Sequence, residues 1–214
     1  MLFEEIRNEI ANLGKKIAVS GFNLGTWGNI SARIDENKFA ITPSGIAYKV
    51  ITAKDIVVID LTGNIIEGNK KPSIELPLHS AIYRAKENVS AIVHTHSVCC
   101  TAFAIARKPI PATCEDMIQI VGGQVGVAEY FLPGSKELAQ SAVTTLGNKS
   151  ACLMANHGLI TVANNLNEAN KIAQIVEKSA QSVIYANSLG GAVELPQNDI
   201  DFMRDFYLNE YGQE

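Results

Sequence analysis

Apolar residues Leu2, Phe3, Ile6, Ile10, Leu13 and Ile17 repeat at the three- to four-residue spacing of one helix face, and Gly21 stands just past them, where a left-handed cap ends a helix. The period then shortens. Residues 38–42, "KFAIT", read as a short strand running into the turn "PSG", and Thr52 is placed to cap a helical turn before the buried strand "IVVID" at 56–60. Ser73, preceded by Pro72, occupies an N-cap position for a helix over 74–87, with Pro77 early enough that its missing N–H is tolerated. A strand follows at 90–95, "SAIVHT", and then a helix over 97–107. "IPA" at 110–112 breaks the chain and "VGVAEY" at 125–130 is extended. Ser135 caps a helix over 136–147, "ACLMAN" at 151–156 is a buried strand, Gly158 turns the chain, and "LITVA" at 159–163 resumes it. A long helix from about residue 167 to 189 stops at Gly190-Gly191, and a last amphipathic helix begins near Asp199.

Strands and helices interleave without linker, repeat or low-complexity tract. The pattern predicts one α/β domain over residues 1–214, with a central sheet covered by helices on both faces. Periodicity leaves open whether that sheet is parallel or mixed.

With 47% hydrophobic and 19% charged residues, the chain has the composition of a protein with a substantial core. A net charge of −4 without a basic stripe argues against nucleic acid as a partner. No apolar run reaches the ~18 residues of a membrane span, and Met1 leads directly into the charged first helix, so no membrane partner and a cytoplasmic protein are expected. Cys99, Cys100, Cys114 and Cys152 lack C-x-x-C spacing and read as reduced thiols.

Candidate chemistry gathers at "HTHS", residues 94–97. Alternate side chains of a strand share a face, so His94 and His96 project together and can share one metal ion. Two imidazoles need a further ligand. His157, at the end of a buried strand, suits that role better than His79, which lies inside a predicted helix and reads as structural. The pair alone also fits ordinary core or surface histidines. Glu75 in isolation reads as a first-turn carboxylate, Gly25, Gly28 and Gly45 as turn residues, and Tyr211 as part of a polar tail. Neither a Walker loop nor G-x-G-x-x-G is present, so nucleotide binding is unsupported.

Five stretches change this picture together: "NLGTWGNISAR" (23–33), "ITPSGIAY" (41–48), "KPSIELPLHSAIY" (71–83), "HTHSVCCTAFA" (94–104) and "NHGLI" (156–160). In this order they resemble the class II aldolase/adducin-type family, most closely its L-fuculose 1-phosphate-cleaving branch. The resemblance runs over nearly the whole chain. It implies an α/β fold, a three-layer α/β/α sandwich with a central mixed β-sheet. It also implies one zinc ion (Zn2+) per subunit, held by His94, His96 and His157. Glu75 would be a further ligand at rest and the acid/base once substrate displaces it. Gly28, Asn29, Ser44, Gly45, Ser73 and Ile74 would hold the substrate phosphate. Tyr211 would reach a neighbouring subunit's site in a homotetramer and protonate the aldehyde oxygen. The implied reaction is reversible cleavage of a ketose 1-phosphate to dihydroxyacetone phosphate and an aldehyde. L-Fuculose 1-phosphate and a 5-deoxy- or 5-methylthio-ribulose 1-phosphate are the candidate substrates.

These residue types suit that chemistry. A carbanion left beside a ketone needs a Lewis acid, a carboxylate must move the proton, and small residues with exposed N–H groups suit a phosphate. Zinc suits imidazole ligands, and cobalt or manganese fits the same site. Two positions depart from the family pattern. Ile74 stands where the nearest members have a second serine, which removes one hydroxyl. Glu115-Asp116 in "TCEDMIQ" replaces a tyrosine of the aldehyde site and resembles an acidic stretch of methylthioribulose-1-phosphate dehydratase, so Asp116 is a candidate second proton-transfer group. That dehydratase and a sugar-phosphate 4-epimerase are the enzyme alternatives, with Glu75 arguing against both. An adducin-head-like interaction module is the non-enzyme alternative.

Overall fold

The computed structural model describes residues 2–212. Its strands are β1 (Asn29–Arg33), β2 (Lys38–Ile41), β3 (Val57–Asp60), β4 (Ile65–Glu67), β5 (Ala91–Thr95), β6 (Val127–Ala128), β7 (Ala151–Met154) and β8 (Gly158–Ala163). They form one sheet in the order β4-β3-β2-β1-β5-β8-β7-β6. Neighbours are antiparallel except β6 and β7, so the sheet is mixed.

Helices α1 (Glu4–Ser20), α2 (Leu76–Ala85), α3 (Val98–Ala106), α4 (Glu115–Val121), α5 (Lys136–Leu146), α6 (Leu166–Ser188) and α7 (Gln197–Asn209) complete the fold, with a 3-10 turn at Ala53–Asp55. On one face of the sheet, Ile41, Ile59, Ile92 and Ile160 pack against Leu78 and Ile82 of α2 and Leu138 and Ala142 of α5. On the other face, Ile30, Val58 and Val93 meet Ile10, Leu13 and Ile17 of α1. Leu153 and Leu159 continue that second face against Cys100 of α3, Met117 of α4 and Val176 of α6. Alternate strand residues thus feed two separate cores, which produces the expected α/β/α sandwich.

Local signals explain most boundaries. Ser135 Oγ accepts the Leu138 N–H at 3.1 Å and Thr52 forms a capping box with Asp55, as their positions predict. Asn165 caps α6 by accepting from Glu168 N–H. α2 starts later than the sequence suggests. Ser73 lies ahead of the helix in a tight turn, its hydroxyl accepting the Glu75 N–H at 3.2 Å, and Pro77 falls in the first turn. Three elements escape the hydrophobic pattern: β1, β4 and α4. Gly158 is also not the turning residue. Asn156 takes the left-handed conformation, at φ 57°, while Gly158 already pairs with Met154 in the β7–β8 ladder.

Candidate metal centre

β5 lies between β1 and β8, and its register places His94 opposite Asn29 on one side and Ile160 on the other. His94 therefore shares the face of Ile92 and Ile160, the face that α2 covers. Glu75 stands immediately before α2 and comes down onto that face. The turn between β7 and β8 carries His157 to the same strand ends. Gly158 makes this convergence possible, because a Cβ there would lie 2.3 Å from the Thr95 carbonyl oxygen and 3.2 Å from His94 Cε1.

The three imidazoles point their Nε2 atoms at one another. His94 Nε2 lies 2.9 Å from His96 Nε2 and 3.2 Å from His157 Nε2. Glu75 completes the group: Oε2 is 3.3 Å from His94 Nε2, and Oε1 is 3.3 Å from His157 Nε2. His94 Nδ1 donates to the Leu159 carbonyl at 2.9 Å, which fixes the tautomer and leaves the Nε2 lone pair facing the cluster. Burial, reinforced by the neighbouring imidazoles His157 and His96, holds His94 well below the ordinary histidine range. Burial, with the His157 imidazole beside it, likewise brings His96 to about 4 against the opposing pull of Glu75. Both rings are therefore neutral at pH 7, the form that can bind a metal.

This donor set fits a metal ion. His94, His96 and His157 offer one atom each, all within 4.8 Å of one another. Glu75 Oε1, on the cluster side, is buried without a hydrogen-bond partner among the described residues. Buried polar atoms are rarely left unpaired, and three imidazoles beside a carboxylate are a borderline-metal donor set.

Two further side chains hold the frame. The Asn23 side chain bridges both histidines' backbone: Oδ1 accepts the His96 N–H at 2.9 Å and Nδ2 donates to the His94 carbonyl at 3.3 Å. Gly28, at φ 77°, packs so closely there that a Cβ would stand 2.2 Å from Asn23 Nδ2. Glu177 of α6 accepts the Cys99 and Cys100 N–H groups at 2.8 Å each, anchoring the start of α3 just after His96. Burial opposes its charge, but these backbone bonds prevail and hold its carboxyl below the usual range.

The cluster opens into a cleft of about 460 Å³, whose walls include Trp27, Gly28, Asn29, Ser44, Gly45, Ser73, Ile74, Glu75, His96 and His157. All six residues implied for phosphate thus line it, although not all as donors. The Ser44 N–H bonds to the Lys71 carbonyl and the Ser73 N–H to the Thr42 carbonyl. Their hydroxyls remain, together with the Gly45 and Ile74 amides. The Asn29 side chain does not point freely into the cleft, since Nδ2 donates to Glu75 Oε2 at 2.7 Å.

Asp116 and Tyr211 stay apart from this group. Asp116 sits on α4 in an ion pair with Lys178 of α6. Tyr211 is 63% exposed and stacks on Tyr207, beside Lys149, Lys171 and Arg204. Neither lines the cleft. Sequence reasoning missed Asn23, whose partners lie some 70 residues away, and gave no role to Trp27, whose ring centroid lies 5.9 Å from that of His96. It left His79 as structural, although that ring hydrogen-bonds Asn29. The i, i+4 spacing from Glu75 was the only available signal.

Comparison with known proteins agrees with this geometry. Residues 8–184 match the Class II Aldolase and Adducin N-terminal domain. The chain is 37% identical over 215 aligned positions to the 5-deoxy-D-ribulose 1-phosphate aldolase of Bacillus thuringiensis serovar kurstaki, covering 100% of both chains. It is 39% identical to the L-fuculose phosphate aldolase of Escherichia coli, over 75% of this chain and 74% of that one. A solved structure of an L-fuculose 1-phosphate aldolase superposes with a TM-score of 0.92 at 37% identity, over 95% of this chain and 96% of the other. The chain belongs to the class II aldolase and adducin family.

Proposed function

We propose that this chain is a metal-dependent aldolase that reversibly cleaves a ketose 1-phosphate between C3 and C4, giving dihydroxyacetone phosphate and an aldehyde. One observation carries the reading: three convergent imidazoles and Glu75 form one wall of a cleft whose other walls offer neutral phosphate donors. 5-Deoxyribulose 1-phosphate ranks first as substrate, on the full-length similarity to a protein named for it. L-Fuculose 1-phosphate ranks second and 5-methylthioribulose 1-phosphate third.

His94, His96 and His157 would hold a zinc ion, with Glu75 as a further ligand before substrate enters. When bound, the ion supplies Lewis-acid stabilisation of the negative charge left on the ketose oxygens as the bond breaks. In cleavage the C4 hydroxyl loses its proton as the bond breaks and Glu75 delivers one to C3; in synthesis Glu75 removes the C3 proton while the aldehyde oxygen gains one. The Ser44 and Ser73 hydroxyls, with the Gly45 and Ile74 N–H groups, receive the phosphate. They hold the substrate by its 1-phosphate, so that C3 stands near Glu75. Tyr211 serves a neighbouring copy in a homotetramer; its exposure outside its own chain's cleft supports that role. Asp116, paired with Lys178, takes no part within its own chain. The whole chain acts as one domain in the cytoplasm, its four cysteines reduced.

The test is product analysis of the zinc-loaded protein on the three substrates, with Glu75→Gln alongside. Dihydroxyacetone phosphate should form from at least one, and Glu75→Gln should lose cleavage while retaining zinc. Consumption of methylthioribulose 1-phosphate without dihydroxyacetone phosphate would make the protein a dehydratase instead. Wild-type turnover in Glu75→Gln would remove that residue from the chemistry.

A further inference from the structure

Behind Glu75 a line of buried hydrogen bonds continues into the protein. Asn29 Nδ2 donates to Glu75 Oε2 at 2.7 Å, and Asn29 Oδ1 lies 2.5 Å from His79 Nε2. His79 Nδ1 lies 2.6 Å from Ser31 Oγ, which in turn lies 2.8 Å from the Tyr83 hydroxyl. Every member is nearly inaccessible: Asn29 is 4% exposed, Tyr83 1%, and Ser31 and His79 0%. Glu75, the residue before α2, is followed at i+4 and i+8 by His79 and Tyr83 of that helix, while Asn29 and Ser31 share one face of β1. Helix and strand periodicity therefore interlock these five residues.

Only one direction of donation satisfies the whole line. Asn29 presents its amide nitrogen to Glu75 and its oxygen to His79, and that orientation sets the rest. His79 Nε2 must then carry the hydrogen. Its Nδ1, as the acceptor of the neutral ring, takes the Ser31 hydroxyl proton, and Ser31 Oγ accepts from Tyr83. An asparagine amide has no intrinsic preference between its two orientations. In the reversed one, its oxygen would face the carboxylate.

We propose that His79 is a positioning residue, which with Ser31 and Tyr83 selects the Asn29 amide orientation that holds Glu75 against the three imidazoles. Its effect on turnover rests on the aldolase reading above; its effect on carboxylate position does not. Partners of this kind behind a metal site typically change affinity or activity 10- to 100-fold.

The experiment compares wild type with His79→Met, His79→Gln, Ser31→Ala and Glu75→Gln. Each is loaded with Co2+ and read by its visible absorption spectrum, which reports the ligand set, and by kcat and KM. In His79→Met the Asn29 oxygen loses its donor. The spectrum should move in the direction of Glu75→Gln, and kcat should fall roughly 10- to 100-fold with KM within about threefold. In His79→Gln the side-chain amide again supplies an N–H to Asn29. The spectrum and most of kcat should return even if thermal stability does not. A His79→Met protein with the wild-type spectrum would overturn the proposal, as would His79→Gln impaired as fully as His79→Met. If His79→Met does not fold, Ser31→Ala decides: a smaller shift in the same direction supports the proposal, and a wild-type spectrum overturns it. Should wild type form no dihydroxyacetone phosphate, the substrate assignment fails alone, and the spectra still decide the role of His79.

Discussion

Gly158→Ala adds a single methyl group at the first residue of β8. Gly158 is not in the left-handed region, so its backbone does not demand glycine. On conformational grounds alone, alanine in a strand should gain roughly 0.5–1 kcal/mol. Packing reverses the sign. The new Cβ would stand 2.3 Å from the Thr95 carbonyl oxygen and 3.2 Å from His94 Cε1. Non-bonded atoms settle at about 3.5 Å, so something must retreat by roughly 1 Å. The nearer obstacle is β5 backbone, paired at Thr95 with Leu159 of β8, and it cannot withdraw without opening that ladder. Overpacking of this kind costs about 1–3 kcal/mol, enough to cancel the gain. Net of the gain, a loss of up to about 2.5 kcal/mol lowers Tm by as much as roughly 10 °C in a chain of this size. The displaced strand carries His94 and leads into His96, so metal affinity should fall as well, by about tenfold or more. Calorimetry of the metal-free protein and competition against a chelator read the two effects separately. A metal-free Tm at or above wild type, with unchanged affinity, would refute the packing argument.

Three further outcomes follow from the same structure. Asn23→Ala removes both bonds that clamp the His94 and His96 backbone, and chelator competition should show metal binding weakened roughly 10- to 100-fold. Arg7, 2% exposed, ties α1 to the Ala53 and Ile56 carbonyls and to Glu67. Arg7→Ala should therefore cost about 3 kcal/mol in urea unfolding. His79 is fully buried, and desolvation lowers its pKa from 6.5 to about 4. Because the folded-state value is depressed, the unfolded chain takes up this proton first. Stability is complete above pH 6.5 and declines as pH falls toward 4, by about 3 kcal/mol for this group. Unfolding of metal-free wild type and His79→Gln, at pH 7 and at pH 4.5, should show the shallower loss in the variant. Equal losses would mean that His79 takes up its proton equally in both states.

Where a residue's role follows from local periodicity, the sequence is readable. "HTH" at the end of an apolar strand places two imidazoles on one face because strand alternation demands it, and α1, α5 and α6 follow from helical spacing with Ser135 and Gly21 as punctuation. Glu75 and the phosphate-side residues are legible only through several spaced motifs taken together. β1 was hidden because its polar members, Asn29 and Ser31, are buried for hydrogen bonding and break the apolar alternation expected of a central strand. α4 is a seven-residue helix between a proline-containing break and Gly122-Gly123, too short to display a period. Asn23 was hidden for a different reason. Its partners lie on β5 and just beyond it, and only the sheet order brings that loop to the histidines. Asp116 marks the limit from the other side: its acidic pair is legible as candidate chemistry, but its partner within the chain, Lys178, lies 62 residues away and is not.

The most direct test of the metal centre is a titration of zinc into chelator-treated protein, following dihydroxyacetone phosphate release from 5-deoxyribulose 1-phosphate. Wild type should be silent without metal and regain activity to an end point at one equivalent per chain, while His157→Ala should not recover at that ratio. Full release from the metal-free protein, or a wild-type titration curve from His157→Ala, would contradict a metal held by His94, His96 and His157.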